Sequence, residues 1–416
     1  MAVRVFLQTF GCRANQYDSE AVVAMVTGGG GVIVQSPDDA DVAVFNSCAV
    51  TSAAEADLRQ SVRRVARSTP GIRSVVMGCA AARSAPEIMR LPSVSDVVAG
   101  ADFGAIGAAI GLAAGNAYVA TIRQRGTRGL LRIQDGCDEH CTFCATTLAR
   151  GGNRSRAAAE LIEEARDLAQ HHPEIVLTGI HIGTYGADCG TSLGKLLEQL
   201  VRDVPAVRFR LSSVEATEVD AQLADLLTGD SSRVAPYLHA PLQSGSDAVL
   251  RRMGRHWYTA RKYIAAVERL VARTTVFGLG ADLITGFPGE TDADHADTVA
   301  IVNRLPFTGL HVFPFSPRPG TAAGRLRGIV STERSRGRAA ELRAIGRAAE
   351  LVYEARRVGA EADVIVIGHD DGHRDGLTED YLQVSLTQPA PARGARVRAR
   401  LAHQPGRPGL IARPID

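Results

Sequence analysis

The sequence predicts an α/β protein of three domains: an open parallel α/β sheet, a partial (β/α)6 barrel and a small C-terminal β-barrel. Its 416 residues exceed the roughly 100–200 residues of one typical domain. A strand-loop-helix unit recurs in the first part of the chain, and strand patterns alternate with helical patterns through the middle. Short strand patterns return near the end. We place the domains at residues 1–118, 123–355 and 356–416.

The composition is that of a globular protein with nearly balanced charge. Hydrophobic residues make up 45% and charged residues 22%, which excludes a disordered chain. The net charge of +2 means that any nucleic-acid contact must come from a local basic patch. Seven cysteines are too few for a disulfide scaffold, so we expect the reducing cytoplasm. The apolar stretch Phe103–Gly115 is too short to cross a bilayer, and we expect a helix there and no membrane contact.

Each of the first three predicted strands is followed by a cysteine: Cys12, Cys48 and Cys79. Because the carboxyl ends of parallel strands meet at one edge of a sheet, these thiols are expected to converge. A single cysteine would be read as a small buried apolar residue, but the repetition favours a metal or cluster site. The predicted strands are Val3–Thr9, Asp41–Phe45 and Ser74–Met77, and the predicted helices are Ser19–Thr27 and Ser52–Ser68.

A second group of cysteines opens the middle region. After the linker Arg123–Gly129 and the predicted strand Leu130–Gln134, Cys137, Cys141 and Cys144 have the spacing Cys-x3-Cys-x2-Cys. Three thiolates this close can hold one face of an iron-sulfur cube and leave one iron open. The alternatives are structural zinc with a neighbouring histidine as fourth ligand, or thiols of the core.

The middle of the chain alternates as a β/α barrel does, and such barrels bind ligands at the carboxyl ends of their strands. The segments at these ends are polar or glycine-rich, and we expect cofactor contacts at residues 178–181, 212–215, 239–246 and 282–290. The predicted strands are Glu174–Leu177, Val207–Leu211, Pro236–Leu238, Val276–Leu283 and Leu310–Phe313. The predicted helices are Ala157–Gln170, Leu193–Arg202, Asp220–Leu227, Thr259–Arg273 and Asp292–Arg304.

A long helix and a basic tail make up the last part. The predicted helix Ser331–Arg357 contains seven arginines and four glutamates, which is ordinary for a solvated helix. From Asp363 onward, short strands predict a small β-barrel with a basic edge, because six arginines lie between Arg393 and Arg413. Nucleic-acid binding and simple solubility both explain such an edge.

The loop cysteines, placed after a strand in a β/α barrel, resemble the radical SAM superfamily. Together with the three N-terminal cysteines, they resemble its methylthiotransferases over nearly the whole chain. The branch acting on threonylcarbamoyladenosine in tRNA is most similar, whereas the isopentenyladenosine branch typically reads Gln-Met-Asn where Arg13-Ala14-Asn15 stands here. After the cysteine motif the family usually has Pro-Tyr, whereas this chain has Thr147-Leu148. This difference affects the expected shape of the cavity near the cluster. The matching segments are GCRANQYDSE, TGIHIGTYG, PLQSGSD and TGFPGET, at residues 11–20, 178–186, 241–247 and 285–291.

The resemblance implies two [4Fe-4S] clusters and S-adenosylmethionine (SAM), two molecules per turnover. Adenine C2–H offers no acidic proton, so a radical made by splitting SAM at the open iron would activate it. Arg150 is a possible partner of the SAM carboxylate or of a tRNA phosphate. The expected ligands of the clusters are Cys12, Cys48 and Cys79, and Cys137, Cys141 and Cys144. The expected SAM contacts are Phe143, Thr178, Gly179, Ser212, Glu215, Gln243 and Asp282.

The implied activity is that of a tRNA (N6-L-threonylcarbamoyladenosine(37)-C2)-methylthiotransferase with a C-terminal TRAM-like RNA-binding domain. Its expected partners are a tRNA anticodon loop and an electron donor such as flavodoxin or ferredoxin, and we expect a monomer. The alternatives are a methylthiotransferase for isopentenyladenosine in tRNA or for a ribosomal protein aspartate. A different class, a non-catalytic RNA-binding protein with structural metal, also stays open.

Overall fold

The computed structural model describes residues 2–49, 52–112, 123–368, 374–387, 389–403 and 409–415. The end of the apolar stretch at 113–115 and Arg407 of the basic tail lie outside these ranges. No helix in the described ranges is long and apolar enough to cross a membrane.

The N-terminal domain is a five-stranded parallel sheet in the order β2-β1-β3-β4-β5, with helices on both faces. Alternate residues of each strand point to opposite faces, so that one apolar layer packs against α1 and α4 and the other against α2 and α3. The strands are β1 (Arg4–Thr9), β2 (Val32–Val34), β3 (Val42–Ser47), β4 (Arg73–Gly78) and β5 (Val94–Ala99). The helices are α1 (Arg13–Gly28), α2 (Ser52–Ser68), α3 (Cys79–Met89) and α4 (Phe103–Ile110).

Helix α1 begins at Arg13, well before the predicted start at Ser19. Its first turns contain Asn15 and Asp18, whose polarity hides the apolar period on which the prediction relied. Both side chains are nevertheless fully buried, because residues of the central domain cover them. The helix start was therefore missed because its contacts are long-range and polar.

The central domain is the predicted partial barrel. Six parallel strands form two three-stranded sheets, β10-β9-β6 and β11-β12-β13, which are linked by isolated bridges from β10 and the residues after it. The predicted first strand is divided, because β7 leaves the barrel and pairs antiparallel with β8. The strands are β6 (Gly129–Arg132), β7 (Gln134–Asp135), β8 (Arg154–Ser155), β9 (Glu174–Thr178), β10 (Arg208–Leu211), β11 (Tyr237–His239), β12 (Gly278–Thr285) and β13 (Gly309–Pro314).

Helices cover the outside of this barrel and enclose the largest apolar core of the chain. They are α5 (Thr146–Arg150), α6 (Ala158–Ala169), α7 (Leu193–Asp203), α8 (Ala221–Thr228), α9 (Asp247–Arg252), α10 (Ala260–Val271), α11 (Asp292–Arg304) and α12 (Thr332–Arg357). The regular alternation predicted from the sequence is confirmed.

The C-terminal domain is a closed five-stranded barrel in the order β14-β15-β16-β18-β17, as predicted. Its small apolar interior includes Tyr353 of helix α12, which joins it to the central domain. The strands are β14 (Glu361–Val366), β15 (Arg374–Leu377), β16 (Gln383–Leu386), β17 (Arg396–His403) and β18 (Leu410–Pro414).

Glu174, at the start of β9, forms a buried ion cluster with two arginines of β10. Arg208 donates to its Oε2 atom at 2.6 Å and Arg210 to its Oε1 atom at 2.9 Å. Burial alone would raise the pKa of Glu174, but Arg210 and Arg208 outweigh it and hold the pKa well below its usual range. The two arginines also donate to the carbonyl groups of Asp363 and Thr378. The cluster therefore holds the C-terminal barrel against the central one.

Replacing Glu174 by glutamine should strongly destabilise the protein, because two buried guanidinium groups lose their counter-charge. Removing one partner of a buried ion pair costs about 3–5 kcal/mol. The matched control is Asp41→Asn, which breaks an exposed pair with Arg4 and should leave the midpoint of urea unfolding nearly unchanged. Circular dichroism during urea titration measures both variants. Equal midpoints of urea unfolding for the two variants would contradict the claim that the buried ion cluster at Glu174 stabilises the fold.

Candidate functional site

Cys12, Cys48 and Cys79 lie together at the carboxyl edge of the N-terminal sheet. The side-chain oxygen of Asn15 is 3.8 Å from the Cys12 sulfur and 3.9 Å from the Cys79 sulfur. Gly11, at φ +100°, is so close that a Cβ atom there would lie 2.5 Å from the Cys48 sulfur. The parallel sheet thus brings three thiols, far apart in sequence, to one place.

Cys137, Cys141 and Cys144 lie half-buried on the loop between β7 and α5. A backbone N–H group donates to the Cys137 sulfur at 3.4 Å, and another donates to the Cys144 sulfur at 3.3 Å. The Arg255 guanidinium donates to the Cys141 sulfur at 3.4 Å. Leu148, where the chain departs from the family pattern, is exposed on α5. All three sulfurs therefore accept an N–H group, as sulfurs that ligate iron commonly do.

The Arg255 guanidinium also affects the ionisation of this loop. Burial raises the pKa of the Cys141 thiol to about 12, and the charge of Arg255 opposes the shift. Because metals bind the thiolate and not the thiol, Arg255 favours the ligating form of Cys141.

Arg150 of helix α5 reaches across to the N-terminal cysteine group. Its guanidinium donates to the Cys79 sulfur at 3.3 Å and to the side-chain oxygens of Asn15, Asp18 and Asp135 at 3.1, 2.7 and 3.1 Å. The side chain is only 2% exposed. Burial alone would lower the pKa of Arg150, but Asp18, Cys79 and Asp135 raise it, so the guanidinium stays charged. The contact of Arg150 with the SAM carboxylate or with a tRNA phosphate stays a prediction.

The turn after β9 lies against the cysteine loop. Thr178 ends the strand and Gly179 begins the turn; both are expected SAM contacts, and a Cβ atom on Gly179 would lie 2.6 Å from the Gln134 carbonyl oxygen. The Gln134 side chain accepts the N–H group of His181 at 2.9 Å, and the His181 ring lies 3.5 Å from the Cys137 sulfur. Close packing of a glycine thus places this strand end beside the loop.

Glu215, another expected SAM contact, is already engaged within the protein. One carboxylate oxygen accepts from Arg255 and the other from the Trp257 indole. Burial raises the pKa of Glu215, and the Arg255 charge opposes this. Since Arg255 reaches Cys141, Glu215 orients the guanidinium toward the cysteine loop. Sequence reasoning missed Arg255 and Trp257 because no motif marks them.

The remaining expected SAM contacts lie in different surroundings. Ser212 lies half-buried just after β10, where its N–H group donates to the carbonyl of a β9 residue at 2.9 Å. The Phe143 ring packs edge-on against Phe287, with 6.4 Å between ring centroids. Gln243 has a φ of +63° and hydrogen-bonds the β12 backbone. The contacts of these residues with SAM stay predictions.

Asp282 lies with His239, which begins the expected segment 239–246, and with His311, which the sequence analysis did not single out. Its Oδ1 atom is 3.0 Å from the His239 Nε2 atom and 3.2 Å from the His311 Nδ1 atom. Burial alone would raise the pKa of Asp282, but the histidines hold it well below its usual range. In the described ranges, two groups of three side chains could each hold a metal ion, because the ligand atoms within a group lie within 4.8 Å of one another. One group is His239, Asp282 and His311, and the other is His181, Glu215 and Glu218.

Arginines from three parts of the chain line a cavity of about 330 Å³. Arg13 comes from α1, Arg128 from the linker and Arg393 from the C-terminal domain, where it donates to the Thr127 hydroxyl at 2.9 Å. Part of the predicted basic edge is thus gathered at a junction of domains, where an anionic group could bind.

The rest of the described basic tail is largely neutralised. Arg396 pairs with Asp363, and Arg398 and Arg400 pair with Glu361. The sequence concealed these partners because they lie on the neighbouring strand β14. The free basic surface is therefore smaller than the run of arginines suggests.

Comparison with known proteins matches both main domains. Residues 4–100 match the uncharacterized protein family UPF0004, and residues 131–302 match the radical SAM superfamily. The threonylcarbamoyladenosine tRNA methylthiotransferase MtaB of Thermotoga maritima is 34% identical over 379 residues, covering 87% of this chain and 86% of the relative. This chain belongs to the MtaB-type radical SAM methylthiotransferase family. The MtaB protein of Bacillus subtilis is 36% identical over 77% of this chain and 75% of its own length.

Membership of the methylthiotransferase family implies a [4Fe-4S] cluster and SAM. A solved structure of the radical SAM methyltransferase TsrM from Kitasatospora setae shares the fold. Its TM-score is 0.59 over 78% of this chain and 77% of its own, at 15% identity. The cysteine loop at the carboxyl end of the barrel is the part of this methylthiotransferase that suits such a cluster.

Trp257, the only tryptophan of the methylthiotransferase, should report on the cysteine loop. Its ring centroid lies 4.8 Å from the guanidinium carbon of Arg255, and an N–H group of the same guanidinium donates to the Cys141 sulfur. Anaerobic reconstitution with iron and sulfide should therefore quench its fluorescence strongly in Cys48→Ala and clearly less in Cys141→Ala. Fluorescence titration measures the difference. Equal quenching in the two variants would contradict this placement.

Proposed function

We propose that this enzyme transfers a methylthio group to C2 of N6-threonylcarbamoyladenosine at position 37 of tRNA. The relatives from T. maritima and B. subtilis are named for action on this nucleoside. The structural observation that supports the proposal is the presence of two groups of three thiols, the first of which accepts a hydrogen bond from the buried Arg150 of the central domain. A structural-metal protein would have no need for two such groups.

Both thiol groups fit [4Fe-4S] clusters that keep one iron without a protein ligand. Each group offers three sulfurs and includes one that accepts a hydrogen bond from a buried arginine: Cys79 from Arg150 and Cys141 from Arg255. N–H groups directed at ligand sulfurs adjust the reduction potential of such clusters. We assign Cys12, Cys48 and Cys79 to an auxiliary cluster and Cys137, Cys141 and Cys144 to the cluster that binds SAM.

When bound, the two clusters and two SAM molecules per turnover would supply the radical and sulfur chemistry that a non-acidic C2–H bond requires. The chain itself positions the reactants. Glu215 holds Arg255 toward the cysteine loop, and the turn at Thr178 and Gly179 lies beside that loop as a binding surface for SAM. Arg150 and Asp18 hold the N-terminal domain against the barrel, which fixes one cysteine group relative to the other.

The partner that suits this site is a tRNA anticodon loop, whose unstacked bases can be turned outward into a protein. The cavity lined by Arg13, Arg128 and Arg393 would bind its phosphates, so that affinity falls as salt rises. A small electron-transfer protein such as flavodoxin or ferredoxin would serve as reductant, and the enzyme would act as a monomer.

Deleting the gene should remove 2-methylthio-N6-threonylcarbamoyladenosine from cellular tRNA and leave its precursor, as measured by nucleoside mass spectrometry. The wild-type gene and the control variant Cys189→Ala should restore the product, whereas Cys48→Ala and Cys141→Ala should not. The purified Cys48→Ala enzyme should still cleave SAM, and the Cys141→Ala enzyme should not. Loss of the methylthio-isopentenyl nucleoside instead would assign the sister activity, and unchanged tRNA would refute both tRNA activities.

Arg150→Gln should lower the reduction potential of the auxiliary cluster, because the reduced and more negative cluster loses a charged N–H donor. Titration followed by electron paramagnetic resonance measures this, and iron analysis should still find about eight iron atoms per chain. Arg154→Gln is the control, since Arg154 also lies near Asp135 but is 60% exposed. A potential that is the same in both variants would mean that Arg150 does not contact a cluster ligand.

A further inference from the structure

Three neighbouring strands of the central barrel present metal-ligating side chains on one face of their sheet. Asp282 of β12 lies directly opposite His311 of β13. His239 of β11 pairs with Gly280, which lies two residues before Asp282 and therefore belongs to the same face. The intervening apolar residues of all three strands pack into the central core. The two histidines and the aspartate thus share the opposite face and lie side by side.

The ligand atoms of these three side chains are spaced as a small metal ion requires. The Asp282 Oδ1 atom lies 3.0 Å from the His239 Nε2 atom and 3.2 Å from the His311 Nδ1 atom. All three atoms lie within 4.8 Å of one another. A tetrahedral ion with bonds of about 2.0–2.1 Å holds its donor atoms about 3.4 Å apart. Small side-chain movements would therefore let all three atoms reach one ion.

The surroundings of the His239 ring direct its Nε2 atom toward this site. A Cβ atom on Gly280 would lie 2.6 Å from the His239 Nδ1 atom, so the glycine leaves room for the ring. The Tyr237 hydroxyl lies 3.4 Å from the same Nδ1 atom, and its ring stacks on Tyr381 with 4.5 Å between centroids. An Nδ1–H group that donates to this hydroxyl leaves the Nε2 lone pair for a metal, as is usual for histidine ligands.

The site opens on a second cavity, of about 520 Å³, between the central barrel and the C-terminal barrel. Both histidines belong to its lining. The other charged side chains of the lining are three carboxylates and one guanidinium: Glu350, Glu354, Asp375 and Arg347. Arg347 lies 2.7 Å from Glu350 and 3.8 Å from Glu354, and its single charge cannot neutralise all three carboxylates. The charge of this cavity therefore favours a cation.

We propose that His239, Asp282 and His311 bind one zinc ion, whose fourth position faces the cavity. Two imidazoles and one carboxylate are a donor set that zinc sites use, and the open position would take water or an oxygen donor of a bound molecule. The ion would join strands β11, β12 and β13 and would occupy Asp282, which the sequence analysis expected to contact SAM. The site is separate from both cysteine groups, so this inference holds or fails independently of the proposed function.

The test measures zinc in the reconstituted full-length enzyme. Once the clusters are assembled, the enzyme is dialysed anaerobically against a zinc-buffered solution, and plasma mass spectrometry counts zinc and iron. The wild type should hold about one more zinc ion per chain than His311→Phe or Asp282→Asn, at the same iron content. His311→Glu should keep part of the binding, because a carboxylate also ligates zinc. Tyr237→Phe should weaken zinc affinity about tenfold, because it removes only the hydroxyl beside His239.

His171→Phe is the matched control, because His171 is an exposed histidine far from these strands in sequence, and it should keep the wild-type zinc content. The His311 side chain is 66% exposed, so its replacement leaves the core intact, and circular dichroism should be unchanged. Zinc held by the cysteines instead would be equally abundant in His311→Phe, and this result would overturn the inference. A wild type that holds no zinc would overturn it too, and would leave the three side chains as a hydrogen-bonded cluster.

Discussion

The buried ion pair between Arg150 and Asp18 determines how the two halves of the site meet. Both side chains are almost inaccessible to solvent, and a buried charge without a partner costs several kcal/mol. Asp18 of α1 therefore meets its cationic partners, Arg132 and Arg150, only when the N-terminal domain is docked on the barrel. Because Cys12 immediately precedes α1 and Cys144 lies just before α5, the docking that satisfies the charges also fixes the two cysteine groups relative to each other.

The sequence predicted the fold well wherever local signals agreed with tertiary contacts. The bounds of α2 and α11 match the prediction, and Thr291 caps α11 through a reciprocal hydrogen bond with Asp294. The start of helix α1 was predicted less well, because its first turns pack against the central domain. Asn15 and Asp18 look like a solvated face, yet they are covered by residues more than a hundred positions away. A periodic pattern cannot distinguish the two situations.

The same distinction separates the site residues that could be predicted from those that could not. Cysteines at three successive strand ends are informative, because a parallel sheet brings strand ends together whatever the side chains do. Arg255 could not be found in this way, since its role depends on Glu215 and Cys141, which reach it from other strand ends and loops. The arginines of the C-terminal tail led to an overestimate of the free positive charge, because acidic residues on β14 neutralise several of them.

The two arginines that contact cysteine sulfurs share one arrangement. Arg150 is held by Asp18, and Arg255 is held by Glu215, so each guanidinium is paired with a buried carboxylate before it reaches a sulfur. Such a pair has no net charge, yet it still directs an N–H group at the thiolate. It can therefore orient a ligand sulfur without adding the net positive charge of an unpaired arginine. A lone arginine would stabilise the reduced form of a bound cluster more strongly, which would be unfavourable at Cys137, Cys141 and Cys144, where the cluster would supply an electron to SAM.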